Sequence, residues 1–312
     1  MMKRTKIIAI VIAGAVIVSM IPFGFLSAKS VVYVDASASG EMTGSYSNPY
    51  KKIQDGINKA KKKNRTVSIR KGTYKENIII SSDVKVYGKD RAGVIITAKK
   101  KNEPVVTMKD DTTIDNVTIK KGEVGILIKE GDAAVINKCN IVDNYKDGIR
   151  IRKASKDKKY MAEIYNSYIA DNGKNGIYSE KRRLNIKDNQ IYYNEKDGIG
   201  LAAGSKGSVE SNRIKDNDGD GIKLVIDGSD LWIERNTVRD NDRDGLEVRA
   251  YGDTGYIGVK RNKFYKNDRW GISRIERKPF DNNNWNTSLS ILEDNIFWDN
   301  DDGTISPIIN IY

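Results

Sequence analysis

The stretch NQIYYNEKDGIGL (residues 189–201) is followed by NRIKDNDGDGIKL (residues 212–224) and NTVRDNDRDGLEV (residues 236–248). These are three copies of one unit, N-x-I-x-x-N-x-x-x-G-I-x-I. Aligned on its second asparagine, the unit recurs at Asn144, Asn172, Asn194, Asn217, Asn241, Asn267 and Asn300, in steps of 22 to 33 residues. Three residues before each stands an apolar side chain: Ile141, Ile169, Ile191, Ile214, Val238, Phe264 and Phe297. Four residues after the first six stand Gly148, Gly176, Gly198, Gly221, Gly245 and Gly271, each followed by Ile or Leu. Internal repetition at this period marks a solenoid or an array. Apolar positions alternate with period two, so each unit is built of short strands and not of helices, which would show a period near 3.6. The spacing predicts a coil of three strands. Aliphatic ladders fill the bore, coils stack about 4.8 Å apart, and asparagines at the turns bond to one another and to the backbone. Gly is expected to take turn conformations that other residues resist. A propeller is excluded, because its blades repeat at about 40 residues.

Composition agrees. Hydrophobic residues make up 38% of the 312 positions and charged residues 31%, and Tyr (16) outnumbers Phe (5), a balance suited to half-exposed strands. No histidine occurs, which excludes a His general base, a His-ligated metal and a Ser-His-Asp triad. The single cysteine, Cys139, fills a repeat position that other copies give to Asn, so it is expected to be buried and inert. The formal charge of +12 draws anionic partners through the summed field of the protein, and it equally serves solubility.

Lys3, Arg4 and Lys6 precede an uncharged, mostly apolar run from Ile7 to Leu26, and Ser27-Ala28 offers small residues for cleavage. This is the pattern of an export signal, and the run is also long enough for an uncleaved membrane anchor. Residues 1–28 are therefore expected to be a signal peptide or anchor, residues 29–66 an N-terminal strand and capping helix, and residues 67–312 the solenoid. The expected location is secreted or at the cell surface, with membrane contact only through the N-terminal segment.

The repeat resembles the right-handed parallel β-helix of the pectate-lyase-like superfamily, in its carbohydrate-binding and sugar-hydrolase subset. The opening segments VYVDASASG (32–40), NPYKKIQDGINKA (48–60) and VSIRKGTYKENIII (67–80) look like the start of many secreted members. Ile53, Ile57 and Ala60 lie on one face of a short helix, which is expected to plug the bore. The resemblance implies an all-β fold and a site on the strand that follows each Gly. The outward positions of that strand are Arg150, Tyr178, Gly200, Lys223, Glu247 and Ser273, with Arg152, Glu180 and Arg249 two residues further on.

Polysaccharide lyases need a base beside a uronate carboxylate and a positive group to neutralise it. Lys223 or Arg249 would be the base, with Glu247 beside Lys223 on the next coil. Arg150 or Arg152 would hold a neighbouring uronate, with Tyr178 beside them; Trp270 and Trp285 would stack on sugar faces or else cover the side of the stack. The same charges also fit cross-strand ion pairs on a solvated face. Before the glycines stand Asp147, Asp197, Asp220 and Asp244. They read either as Asp-Gly turn residues or as a Ca²⁺ site of Asp220 and Asp244 with Asp218 or Asp242. The runs beginning at Asp216 and Asp240 imitate an EF-hand loop, but position 12 falls on Asp227 and Tyr251 where a Glu is required. The G-H-G signature of polygalacturonase-type hydrolases and the His of alginate-epimerase-type sites are absent. Two coils carry long loops, Lys153 to Tyr160 and Glu276 to Ser288, the second with Phe280 and Trp285 among asparagines. Three function classes follow: a surface glycan-binding or scaffold protein, a His-independent polysaccharide lyase, and an adhesin or phage-type structural module. The expected partner is an acidic polysaccharide or cell-envelope glycan, not nucleic acid.

Overall fold

A computed structural model describes residues 31–61, 66–129, 133–153, 161–278 and 282–311, the side chains of residues 282 and 283 apart. The leader, Lys62, the loop residues 154–160 and Phe280 lie outside the described residues. Among those described, no helix is long and apolar enough to cross a membrane.

The described residues wind into three parallel sheets of eleven, ten and ten strands, and each strand inside a sheet pairs with its equivalents one coil before and after. The N-x-I strands run from Gly72–Lys75 through Gln190–Tyr192 to Ile296–Trp298. After the asparagine turn comes the post-glycine sheet, from Ile78–Ile80 through Ile199–Leu201 and Ile222–Val225 to Gly303–Asn310. The third sheet runs from Val31–Val34 to Leu289–Ile291. The strand Val31–Val34 pairs in register with Thr66–Ile69, so the solenoid begins there and not after the helix.

Registry follows from the repeat. Ile149, Ile177, Ile199, Ile222, Leu246 and Ile272 face one another across successive strands, and all are fully buried. The helix Ile53–Ala60 buries Ile53, Ile57 and Ala60 over the N-terminal end of the bore. Its first two backbone N–H groups, of Ile53 and Gln54, donate to the Glu76 carboxylate at 2.8 and 3.1 Å. At the other end the helix Asn282–Ser288 places Trp285 in the apolar core.

Two asparagine ladders hold the turns. In one, the side-chain amide of Asn172 donates to Asn194, Asn194 to Asn217, Asn217 to Asn241 and Asn241 to Asn267, each at 2.9 Å. The other runs through Asn189, Asn212, Asn236, Asn262 and Asn295 at 3.0 Å. Each Oδ1 also accepts the backbone N–H of the preceding coil's asparagine, as Asn217 does for Asn194 at 3.1 Å. Ser167 and Cys139 begin the second ladder. The Cys139 thiol is buried, and burial pushes it up to about 12, as expected of an inert residue.

The glycines depart from expectation. None of the six repeat glycines has a positive φ; the left-handed positions are the residues just before the ladder asparagines, among them Asp171, Tyr193, Asp216 and Asp240. The reason for Gly is space. A Cβ on Gly221 would stand 2.3 Å from Val238 Cγ1 and 2.9 Å from the carbonyl oxygen of Gly245, because at this corner the chain passes directly under the next coil.

Candidate functional site

Before four of the six repeat glycines stands an aspartate that caps the coil above it. One carboxylate oxygen of Asp197 accepts the backbone N–H of Asp220 at 3.0 Å, Asp220 accepts that of Asp244 at 3.1 Å, and Asp244 accepts that of Trp270 at 3.1 Å. Asp147 does the same for Asn175 at 3.2 Å. Backbone N–H donors, and at Asp147 and Asp220 a side-chain cation, offset part of the repulsion in this column of carboxylates. The remaining oxygen is free to bind a side chain three residues on, at the outward position of the strand. Asp147 takes Arg150 at 2.8 Å, and Asp220 takes Lys223 at 2.8 Å.

At coils 222–225 and 246–250 this pattern closes into a cluster. Lys223 and Glu247 are register partners. Lys223 Nζ lies 2.8 Å from both Asp220 and Glu247, and Arg249 Nε lies 2.5 Å from the same Glu247 oxygen. Glu247 is wholly buried and Asp244 nearly so. Asp244 accepts from the Ser273 hydroxyl at 2.7 Å. The second Glu247 oxygen, Oε2, is buried without a hydrogen-bond partner.

Burial, with the Glu247 charge adding to it, pushes the Asp220 carboxyl up to about 7. Burial also raises the Asp244 carboxyl above the usual range, against the Ser273 hydrogen bond that favours its ionised form. Glu247 goes the other way: burial opposes its charge, but Arg249 and Lys223 outweigh burial and hold it below its ordinary value. Lys223 and Arg249 lose solvation, yet the carboxylates beside them keep both more firmly protonated than usual. This shift runs against the expectation that either is a base. In this arrangement both are fixed cations, and the group poised near neutrality is Asp220.

Asp220, Asp244 and Glu247 offer oxygens within 4.8 Å of one another, the hard donor set that Ca²⁺ takes. The third carboxylate is Glu247 and not Asp218 or Asp242, which point to solvent. Lys223 Nζ stands against two of the three, so an entering divalent ion has to displace the ammonium.

Elsewhere on this face the Arg150 guanidinium lies 5.0 Å over the Tyr178 ring, and Tyr178 has room because Gly200 is its neighbour on the next coil, where a Cβ would come within 3.2 Å of the ring. Arg152 pairs with Glu180 at 3.2 Å. Trp270 opens a strand, partly exposed, its ring against Gly303. Trp285 does not serve as a sugar platform. It is 2% exposed, packed into the C-terminal end of the core. Ser273 is legible in the sequence as an outward position of its strand, but its bond to Asp244, one coil away, is invisible in local spacing.

A family model described as a right handed beta helix region matches residues 104–224. No curated protein matches the chain in sequence. Three solved structures share its architecture. XylC with xylose is 14% identical with a TM-score of 0.65, over 79% of this chain and 67% of that one. Pectate lyase Pel9A is 15% identical with a TM-score of 0.62, over 88% and 81%. The A-module of the mannuronan C-5 epimerase AlgE4 of Azotobacter vinelandii is 14% identical with a TM-score of 0.54, over 88% and 97%. Repeat, sheet registry and these likenesses converge on one architecture: the chain is a right-handed parallel β-helix.

Proposed function

We propose that this protein is exported and binds an acidic polysaccharide along its post-glycine face, with the Lys223–Glu247–Arg249 cluster as the anchor. One observation carries the reading. Lys223 and Arg249 are held rigid by buried carboxylates while 22% and 17% of their side chains stay open to solvent. Buried charge is costly and adds little to a fold that hydrophobic ladders already hold, whereas fixed cations at a surface orient an anionic ligand without further ordering cost. Arg150 over Tyr178 and Arg152 lie on earlier coils of the same sheet, so one chain laid along the axis meets all of them. Two fold neighbours, a pectate lyase and a mannuronan epimerase, are named for acidic polysaccharides.

The test is titration with polygalacturonate and alginate. Replacing Arg150 and Arg152 together with Gln is expected to weaken binding about tenfold, the effect of losing two charge contacts, and wild-type binding should weaken as salt rises. Equal losses from a control pair, Lys59 and Lys61, would leave only diffuse positive charge. Export is checked with a reporter active only outside the cytoplasm. It should work when fused to residues 1–30 and stay silent without them. Activity from the leaderless fusion would remove the leader's role.

A further inference from the structure

The N-x-I strands present a different face to solvent. Their central residues, Ile191, Ile214, Val238 and Phe264, point into the bore, so the residues on either side form two outward columns. One column runs Gln190, Arg213, Thr237, Lys263 and Ile296; the other runs Tyr192, Lys215, Arg239, Tyr265 and Trp298. Between them lies an open groove of about 500 Å³. Thr237 makes it. It is the short side chain between Arg213 and Lys263, and its coil leaves the space that longer neighbours wall off.

The groove is cationic. No carboxylate lines it. Lys215 and Arg239 are balanced by Asp216 and Asp240 in the adjacent turn. Arg213 and Lys263 are exposed and make no ion pair among the described residues. Aromatic rings close the two ends. Lys215 lies 4.9 Å over Tyr192. Tyr265 stacks on Trp298 at 3.8 Å and 10°, while Arg239 sits over Tyr265 from the preceding coil.

We propose that this groove is a second binding site, separate from the post-glycine face, for a single chain of anionic sugars running along the solenoid axis. Cations recur at the coil step of about 4.8 Å, the scale of one sugar ring, so successive residues of a polymer meet successive charges. Thr237 and the tyrosine hydroxyls offer partners for sugar hydroxyls. Single-stranded nucleic acid is disfavoured because it needs free aromatic faces for its bases, and here the faces of Tyr265 and Tyr192 are covered. Two faces gripping one long chain gain avidity without new contacts. The ligand class is that of the proposed function, but the residues differ, so either site can fail while the other stands.

The experiment uses a short oligogalacturonate too small to bridge both faces. Wild type is expected to bind two equivalents. Arg213→Ser with Lys263→Ser, both exposed and so expected to leave stability within about 0.5 kcal/mol, should bind one, and Arg150→Gln with Arg152→Gln should retain the groove equivalent. Binding in the groove should change tryptophan emission, a change that Trp298→Phe removes. Two unaltered equivalents in the Arg213/Lys263 variant overturn the groove, as does its occupation by an oligonucleotide or an anionic phosphatidylserine vesicle in preference to the sugar. A single equivalent in wild type, kept by the Arg150/Arg152 variant and lost in the Arg213/Lys263 variant, overturns the post-glycine reading and leaves the groove standing.

Discussion

Replacing Ile222 with Asp is expected to abolish folding. Ile222 is fully buried between Ile199 and Leu246 in the post-glycine ladder, and all three sheets wall the space it fills. An aspartate there meets no donor, because the neighbouring backbone groups are spent in parallel pairing: the N–H of Ile222 donates to the carbonyl of Gly245 and that of Ile199 to Gly221. Burying an unpaired carboxylate costs several kcal/mol even after relaxation, against a total stability of about 5–15 kcal/mol for an ordinary domain. Because coils are held mainly by their neighbours, a break at one coil exposes the faces of both adjoining ones. Ile222→Val removes one methylene and should cost about 1 kcal/mol. Circular dichroism and urea unfolding separate the cases. The Asp variant is expected to lack the β-sheet spectrum and cooperative transition that the Val variant keeps. A cooperatively folded Asp variant would mean that Ile222 does not face the bore.

Why the fold was legible and the site only partly so has a physical explanation. In a stacked solenoid each coil repeats the same environment, so Ile141, Ile169, Ile191 and Ile214 solve one packing problem four times and the solution shows as periodicity. Ladder asparagines are legible for the same reason. The glycines were recognised but explained wrongly. Spacing shows that small residues recur, and only the stacking of coils shows that Val238 and the next coil's carbonyl leave no room for a Cβ. The left-handed turn falls instead on Asp171, Asp188, Tyr193, Ser211 and other mixed types, because the following asparagine and its cross-coil hydrogen bonds hold the turn whatever precedes it. Trp285 was misread because a loop rich in asparagine looks solvated, yet it forms a short helix that turns one large ring inward to cover the end of the bore. At the site, the pairing of Lys223 with Glu247 came directly from register. The protonation states did not, since they depend on which carboxylates are buried and on what caps them.

Lys223→Ala is expected to destabilise the protein by about 3–5 kcal/mol at pH 8, because removing one partner of a buried ion cluster strands the others. Asp220 and Glu247 would lose the ammonium that lies 2.8 Å from each, leaving Arg249 as the cation on Glu247 and only the distant Arg243, at 4.0 Å, for Asp220. The 22% exposure of the Lys223 side chain places the effect toward the lower end of that range. Its pH dependence distinguishes lost charge from lost packing. In the intact protein Asp220 has an ordinary value of 3.8 raised to about 7, so the folded state binds this proton more tightly than the unfolded state. Stability from this group is therefore fully present below about 4, falls as pH rises to about 7, and is level above it. Glu247, held below its ordinary 4.5, contributes stability that is present above that value and lost as pH falls through the lowered one. Without Lys223 both carboxyls move up, and the folded variant takes up protons at a pH where the wild type does not. The gap in urea midpoint between wild type and Lys223→Ala should thus narrow from pH 8 to pH 5. Asp220→Asn in the same background should narrow it at pH 8 without acid, because it supplies a neutral group that still accepts the Asp244 N–H. A gap that stays constant across this range, and that Asp220→Asn does not close, would show that Lys223 acts through packing alone and that the cluster holds no strained charge for a ligand to use.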